Sequence, residues 1–387
     1  NVPNLRFPEF EGEWEKCTIG KQFELYSGNT PSRINKELFN GTINWISSGE
    51  LKEHYIYSTK ERISQEAANN LKLLSVGTFV IAIYGLEAEG VRGTGSITQE
   101  PSTISQACMA FTPKGEITNE FLYSWYKKHG HVIGVKYAQG TKQQNLSYDI
   151  LEKFKISYPN VKEQDKLNLF FSLIDKRIST QNKIIEDLKK LKSAIIEIEY
   201  SSKTKTSSHI GDFIVQTSKR NKDNAIQTVL SVSNRQGFIQ QSEQFENRCV
   251  ASDDTSNYKI VERNDFAFNP ARINVGSIAR LITFEKGIVS PMYICFRTKD
   301  YATPEYLDYF FESKLFFTEI QKRLEGSVRQ CLSYESLCNI PFPLLAIEVQ
   351  QRIGKQLFTL AQKIKLETDF LEILHKQKQY LLRQMFI

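Results

Sequence analysis

The residues of this 387-residue chain whose types could do catalytic chemistry lack the companions that chemistry needs. Asn269-Pro270-Ala271 begins like the Asn-Pro-Pro-aromatic motif of amino-methyltransferases, but it has neither the second proline nor the stacking aromatic, so a loop turn is expected. Gly93-Thr94-Gly95 is too short to be the glycine loop of a nucleotide or S-adenosylmethionine site, because no G-x-G-x-x-G follows a strand. Asp187-Leu188-Lys189 is half of a nuclease motif placed in a stretch of helical spacing, where charges form a solvated face. His129 and His131 have no acidic or cysteine companions for a metal and are expected on the surface. The six cysteines are scattered without a C-x-x-C pair, which fits reduced thiols. The expectation is a chain with no catalytic residues, no cofactor and no metal.

What the chain does hold is a repeat. Gly140-Thr141-Lys142-Gln143-Gln144-Asn145-Leu146-Ser147-Tyr148 returns as Gly326-Ser327-Val328-Arg329-Gln330-Cys331-Leu332-Ser333-Tyr334. The same offset then pairs Leu151 with Leu337, Gln164 with Gln350 and Ile178 with Ile364. Upstream the offset drifts as loops of unequal length require: Gly77-Thr78-Phe79 answers Asn264-Asp265-Phe266, Gly95-Ser96-Ile97 answers Gly276-Ser277-Ile278, and Phe121 answers Tyr306. The chain is two tandem copies of one unit. Its length also favours two cores.

Each copy ends in a helix. Apolar residues at Leu167, Phe171, Ile174, Ile178, Ile185, Leu188, Leu191, Ile195 and Ile198 follow heptad spacing, and Ile353, Leu357, Leu360, Ile364, Leu371, Leu374 and Leu381 repeat the phase. Gln181 and Glu367 place one polar residue in each seam. So narrow a seam predicts that the partner of each helix is the other helix. Ser201 to Ser208 reads as a polar linker. Strands are expected around Thr78–Tyr84, Gln227–Val232 and Met292–Phe296, and helices over Asn119–His129 and Pro304–Glu325.

Hydrophobic residues at 40% and charged residues at 24% fit a globular chain, with no apolar run of membrane-spanning length. The polar, proline-interrupted start lacks the order of a secretory signal, and its missing Met suggests a trimmed chain. A cytoplasmic location is expected. The net charge of +6 permits nucleic-acid binding without establishing it.

Two globular segments, each trailed by a long helix, with Leu5-Arg6-Phe7-Pro8 and Trp14 at one end and Leu381-Leu382-Arg383-Gln384-Met385-Phe386 at the other, resemble the specificity subunit of Type I restriction-modification systems. Ser27-Gly28-Asn29-Thr30-Pro31, Trp45-Ile46-Ser47-Ser48-Gly49-Glu50-Leu51 and the paired Gly-x-x-x-Gln-x-Leu-Ser blocks resemble that family too. The resemblance implies an α+β chain with target recognition domains at 1–160 and 203–345 and spacer helices at 161–202 and 346–387, the helices pairing as an antiparallel coiled coil with pseudo-twofold symmetry. It also implies a non-catalytic, DNA-binding subunit that reads a bipartite double-stranded target with a fixed gap. Its partners would be two methyltransferase subunits and, optionally, two nuclease-translocase restriction subunits. The recognition region of a single-chain restriction-methylation enzyme and a coiled-coil scaffold for proteins are the rival readings.

Base edges in the major groove are read by Arg or Lys on guanine and Asn or Gln on adenine, and phosphates by Lys, Arg and backbone amides. Polar loops carrying such residues are the candidates: Asn29, Arg33, Ser48, Arg92, Lys142, Gln143 and Gln144 in the first copy, and Lys219, Arg220, Arg235, Arg272, Asn274, Arg329 and Gln330 in the second. Against each stands the plainer possibility of a solvated loop side chain, and against the duplicated block that of a fold-stabilising turn.

Overall fold

A computed structural model describes residues 1–88, 90–140, 144–201, 208–234, 236–241, 254–326 and 330–387. They form two compact units, one of 1–182 with 369–387 and the other of 183–368. Most of the Ser201 to Ser208 linker, with Lys142, Gln143, Arg235 and Arg329, lies outside the described residues.

The first unit opens with β1 (Glu15–Thr18), α1 (Ile19–Gln22), β2 (Phe23–Ser27), β3 (Ile43–Ile46), β4 (Tyr55–Ile56), β5 (Arg62–Ile63) and α2 (Gln65–Asn69). It continues with β6 (Phe79–Ala82), β7 (Gly95–Thr98), β8 (Ser102–Ile104), β9 (Cys108–Pro113), α3 (Asn119–Tyr137), α4 (Tyr148–Lys153) and β10 (Lys155–Tyr158), and then enters α5 (Val161–Glu199). The main sheet runs β2-β9-β6-β7-β4 and a second runs β5-β3-β8, while β1 pairs with β10. Strand β6 is apolar at every position because it is buried on both faces, with β9 and β7 beside it.

The second unit holds α6 (Ile210–Phe213), β11 (Ile214–Thr217), β12 (Val229–Ser233), β13 (Gly237–Gln240), β14 (Lys259–Glu262), β15 (Phe266–Phe268), β16 (Ile278–Arg280), β17 (Lys286–Val289) and β18 (Ile294–Thr298). Helices α7 (Pro304–Phe310), α8 (Lys314–Arg323) and α9 (Tyr334–Cys338) precede α10 (Ile347–Met385). Its main sheet, β11-β18-β15-β16, reproduces β2-β9-β6-β7 strand for strand. The smaller sheet, β13-β12-β17-β14, repeats β5-β3-β8 with one strand added, and β12 runs parallel to β17 as β3 does to β8.

The copies share their joints as well as their strands. Gln164 and Gln350 are each fully buried at the start of a long helix. The Gln164 side-chain oxygen accepts the Thr118 N–H at 3.0 Å and its amide donates to the Pro159 carbonyl at 2.9 Å. Gln350 does the same with Thr303 and Leu345 at the same distances. Gly77 and Asn264 both take positive φ, 83° and 72°, to turn the chain into the central strand. The duplicated block closes on itself through backbone bridges, Gln139 to Asn145 and Glu325 to Cys331. Its Ser147 and Ser333 then cap α4 and α9. It is a structural loop, whatever else it does.

Helix spacing over Pro304–Glu325 predicts one helix, and the structure has two. Ser313 is buried, donates its hydroxyl to the Phe310 carbonyl at 2.7 Å and accepts the Phe316 N–H at 3.2 Å, so it caps a new helix in place of continuing the old one.

Within the first unit the two long helices run antiparallel: Phe171 meets Phe386 at 5.6 Å between ring centroids, Asp175 binds Lys378, and Arg177 lies 5.5 Å from the Phe370 ring. Leu382, Met385 and Phe386 enter the core beside Trp14, Phe121, Leu167 and Phe171. In the second unit Ile196 and Tyr200, from α5 and the residue after it, share a core with Tyr306, Phe310, Ile353 and Leu357. The heptad reading holds through Ile185 and then slips. Leu191 and Ile198 are exposed, and Ile196 and Tyr200 are buried in their stead. The α5 face that counts there is the one turned to α7, where the Tyr200 hydroxyl donates to the Tyr306 carbonyl at 2.6 Å and Lys192 binds Glu312 at 2.6 Å.

Charge fastens each helix end. In the first unit His54 is sandwiched between the Tyr55 and Tyr123 rings, 4.0 and 3.9 Å away. Its Nε2 lies 2.9 Å from Glu120 and its Nδ1 3.3 Å from Asp175, which Lys378 also binds. In the second unit Glu305, the repeat partner of Glu120, takes Arg280 at 2.5 Å. Burial disfavours the His54 imidazolium, yet its bonds to Asp175 and Glu120 outweigh burial and raise its pKa above the ordinary 6.5. A raised folded-state value means that the stabilisation is complete below about pH 6.5 and is lost as pH rises through the folded pKa. His54→Gln should therefore cost about 1–3 kcal/mol at pH 6 and distinctly less at pH 8 or above, checked by thermal unfolding of the full chain at both values. Equal loss at both would show that the ring acts only by packing.

The duplicated loop gives a second test. Gly140 and Gly326 have φ of 117° and 104°, a region that a side chain makes costly. Gly140→Ala and Gly326→Ala should each destabilise by about 1–3 kcal/mol, whereas Gln330→Ala, exposed beside the same loop, should stay within about 0.5 kcal/mol in the same unfolding measurement.

Candidate nucleic-acid interface

In each unit the backbone brings two loops together. The Leu146 N–H donates to the Ile83 carbonyl at 2.9 Å, and Leu332, its repeat partner, donates to Pro270 at 3.1 Å. The duplicated block thereby sits against the loop that follows the central strand β6 or β15. The candidates Arg92 and Gln144 in one unit, and Arg272, Asn274 and Gln330 in the other, fall on these equivalent loop pairs.

Their environments differ. Arg92 binds the Leu86 carbonyl through Nε and donates to the Glu87 carbonyl at 3.2 Å through Nη2. The Gln144 N–H donates to Glu87 at 2.9 Å, its carbonyl accepts from Leu86 at 3.0 Å, and its side-chain oxygen is buried. These two residues knit the loops. In the second unit Asn269 is nine-tenths buried and its side-chain oxygen accepts the Ala271 N–H at 3.0 Å, the turn expected of Asn269-Pro270-Ala271. Beyond that turn a 3₁₀ helix, Ile273–Val275, buries Ile273, leaves Arg272 exposed and Asn274 half-exposed, and ends at Gly276. A short helix anchored by one buried isoleucine holds its polar neighbours in fixed positions, as a reading loop requires.

A second cluster follows β2 or β11. In the first unit Arg33 grips the Glu61 carboxylate with both arms, at 2.5 and 2.9 Å, and its guanidinium lies 4.2 Å from the Phe39 ring and 5.1 Å from Trp45. That hydrogen bond lowers the Glu61 pKa. The Asn29 side chain accepts from Thr30 at 2.8 Å, and Ser48 opens a one-turn helix in which Glu50 is tied to Ser47 at 2.9 Å. In the second unit Lys219 and Arg220 are exposed and line a cavity of about 670 Å³ together with Lys222, Asp223 and Lys286. Four cations and one carboxylate line it, Lys286 also pairing with Glu262 at 3.3 Å, which leaves a basic surface suited to phosphate. Lys222 and Lys286 were absent from the residues singled out by sequence. Lys222 belongs to the same short basic run, while Lys286 arrives from β17, far along the chain.

Among the described residues no cluster of metal-ligating side chains occurs, and no helix is long and apolar enough to cross a membrane. His129, expected on the surface, is partly buried instead: its ring packs 4.6 Å from Trp125, Nε2 is 3.0 Å from the Ile387 carbonyl, and burial pulls its pKa down to about 4. Helix α3 turns that side chain back toward the core, where spacing alone placed it outside.

Residues 11–190 match the Type I restriction modification DNA specificity domain. The specificity subunit of the Type I restriction enzyme EcoR124I/EcoR124II from Escherichia coli is 30% identical over 189 residues, 48% of this chain and 45% of that protein. The MjaIX specificity subunit from Methanocaldococcus jannaschii is 28% identical over 185 residues, 46% of this chain and 42% of that protein. The chain thus spans less than half the length of the curated relatives it matches. In fold, the S subunit of a Type I restriction-modification system from M. genitalium superposes over 100% of this chain and 99% of its own, with a TM-score of 0.60 and 17% identity. A chain from a type I R-M system studied for complex assembly and conformational transition superposes over 98% of both, with a TM-score of 0.58 and 13% identity. The first half of the chain thus matches the Type I restriction modification DNA specificity domain, and the fold shared along its whole length is that of the S subunit on which it superposes.

Proposed function

We propose that the chain is the non-catalytic subunit that selects the DNA target of a Type I restriction-modification complex. It reads two half-sites separated by a fixed gap and recruits two methyltransferase subunits and, optionally, two nuclease-translocase subunits. The single observation that supports this best is the duplicated sheet, β2-β9-β6-β7 and β11-β18-β15-β16, because a pseudo-twofold reader suits the twofold symmetry of duplex DNA. Segments 1–160 and 203–345 are the two readers, and the helices over 161–202 and 346–387 are the spacer. The methyl donor and the chemistry belong to the partner.

In this reading Arg272, Asn274, Arg329 and Gln330, with Lys142, Gln143 and Gln144, read from the paired loops. Lys219, Arg220 and Arg235, with Asn29, Arg33, Ser48 and Arg92, contribute the phosphate contacts or shape the loops that make contact. A bidentate base contact is worth about 1–3 kcal/mol and acts at one position, while a phosphate contact acts on all sequences alike.

The readers should be separable. With the chain co-expressed with its methyltransferase, Arg272→Ala or Asn274→Ala should relax one position in one half-site, and Gln143→Ala one position in the other, as seen by methylome sequencing. Lys219→Ala should weaken binding to every sequence and reduce the salt slope by about 1. The purified chain without its partner should transfer no methyl groups. Relaxation of both half-sites by an Arg272 variant would replace two readers with one composite surface.

A further inference from the structure

We propose that Ile34 is a base-reading residue of the first unit, resting on the C5-methyl group of a thymine in the major groove, and that Arg33 serves to hold it there. The inference rests on the DNA-recognition reading above and adds to it the residue that touches the base and the chemical group touched.

Ile34 is 95% exposed, more than any other large hydrophobic among the described residues. Full exposure of an isoleucine forgoes about 1.5–3 kcal/mol of burial, and a loose loop would fold such a residue down. This loop is not loose. At its root Gly28 approaches the Ile104 carbonyl so closely that a Cβ there would lie 2.1 Å from the oxygen, and Gly41 stands in the same relation to the Ile63 carbonyl at 2.0 Å. The Asn29 carbonyl accepts the Trp45 indole N–H at 3.2 Å. Just before Ile34, Arg33 is locked onto Glu61 and over the Phe39 and Trp45 rings. Just after it, the Asn35 side chain accepts the Glu37 N–H at 3.1 Å and caps a 3₁₀ helix, Lys36–Phe39. Both neighbours of Ile34 are fixed and the isoleucine is held outward between them.

The occupied guanidinium decides the role of Arg33. Reading guanine takes both of its arms, and both are filled by Glu61. Arg33 is a positioning residue. The surroundings of Ile34 decide its partner. Ser32, Arg33, Asn35 and Lys36 are polar and exposed, so Ile34 is a single apolar point and not a patch of the kind that protein interfaces use. Lys60 and Arg62, beside Glu61, are exposed cations suited to phosphates. An apolar point among cations matches the major groove, whose one apolar group is the thymine methyl. The corresponding loop of the second unit carries Lys219, Arg220 and Lys222 and no exposed isoleucine, so the two units would read by different means.

The test uses the chain in complex with its methyltransferase and duplexes of the target defined by methylome sequencing. Each thymine is replaced in turn by deoxyuridine, which removes only the methyl group. One thymine should show a loss of about fourfold in affinity with the wild-type complex, the worth of one buried methyl, and no loss with Ile34→Ala. The variant should melt with the wild type, since its side chain packs against nothing. Glu61→Ala distinguishes the roles of Arg33. Freeing a DNA-contacting arginine would tighten binding, whereas freeing a positioning arginine should abolish the methyl effect as Ile34→Ala does. A target with no thymine, a methyl effect that survives in Ile34→Ala, or an Ile34 variant that loses only assembly with the methyltransferase overturns the proposal, the last by assigning Ile34 to a protein contact. Absence of specific binding by the wild-type complex would instead overturn the reading on which the proposal rests.

Discussion

The constraint on which the structure depends is that neither globular core closes with its own copy of the repeat. The first core needs Leu382, Met385 and Phe386 from the end of the second copy's helix, packed on Trp14, Phe121 and Phe171. The second needs Ile196 and Tyr200, from the end of the first copy's helix and just beyond it, packed on Tyr306 and Phe310. A heptad seam buries a strip too narrow to sustain a long helix in water, so stability comes from the ends, where large aromatic side chains take the helix into a core. Because the contributing residues lie far along the chain from the core they complete, truncating either helix would leave buried aromatic surface open in the unit it reaches.

The charged fastenings follow from the same constraint. A helix end that completes a core carries backbone and side-chain charge to the edge of an apolar region, where an unpaired charge is expensive. Lys378 meets Asp175 beside His54, and Lys192, its repeat partner, meets Glu312. The position is the same in both copies and the chemistry is not: Glu120 takes a histidine, and Glu305 takes Arg280, whose Nε also lies 3.5 Å from Asp308. Both fastenings hold a group sensitive to pH, His54 in one and, in the other, Asp308, whose carboxyl burial pushes up to about 7.

Much of this was legible in the sequence, and the reasons are local or periodic. The offset of the repeat matched Gln164 with Gln350 before any geometry, and both form the same buried joint. The family resemblance carried by the repeat and the long helices is borne out by the domain match and by the shared fold. What escaped was decided by contacts distant in sequence. Leu191 and Ile198 keep the heptad phase but face water, since α7 joins the partner helix's Ile353 and Leu357 in setting the buried face at that end. Glu61, on another strand edge, pairs with Arg33 across a separation in sequence that no local pattern announces. Lys286 joins a basic run that it follows by more than sixty residues, because β17 lies beside β12.

Duplication followed by divergence has a physical logic here, visible in which residues the copies share. The shared ones satisfy buried polar groups or turn the backbone: Gln164 and Gln350, Gly140 and Gly326, Ser147 and Ser333. Each is intolerant because an unsatisfied buried amide, a strained φ or an uncapped helix costs on the order of 1–3 kcal/mol, out of a total stability of roughly 5–15 kcal/mol. The loops after β2 and β11 carry no such burden once their roots are fixed. One became an isoleucine held up by a locked arginine, and the other a basic cavity. A frame that is costly to alter, bearing loops that are cheap to alter, lets the surfaces of the two halves diverge without either half ceasing to fold.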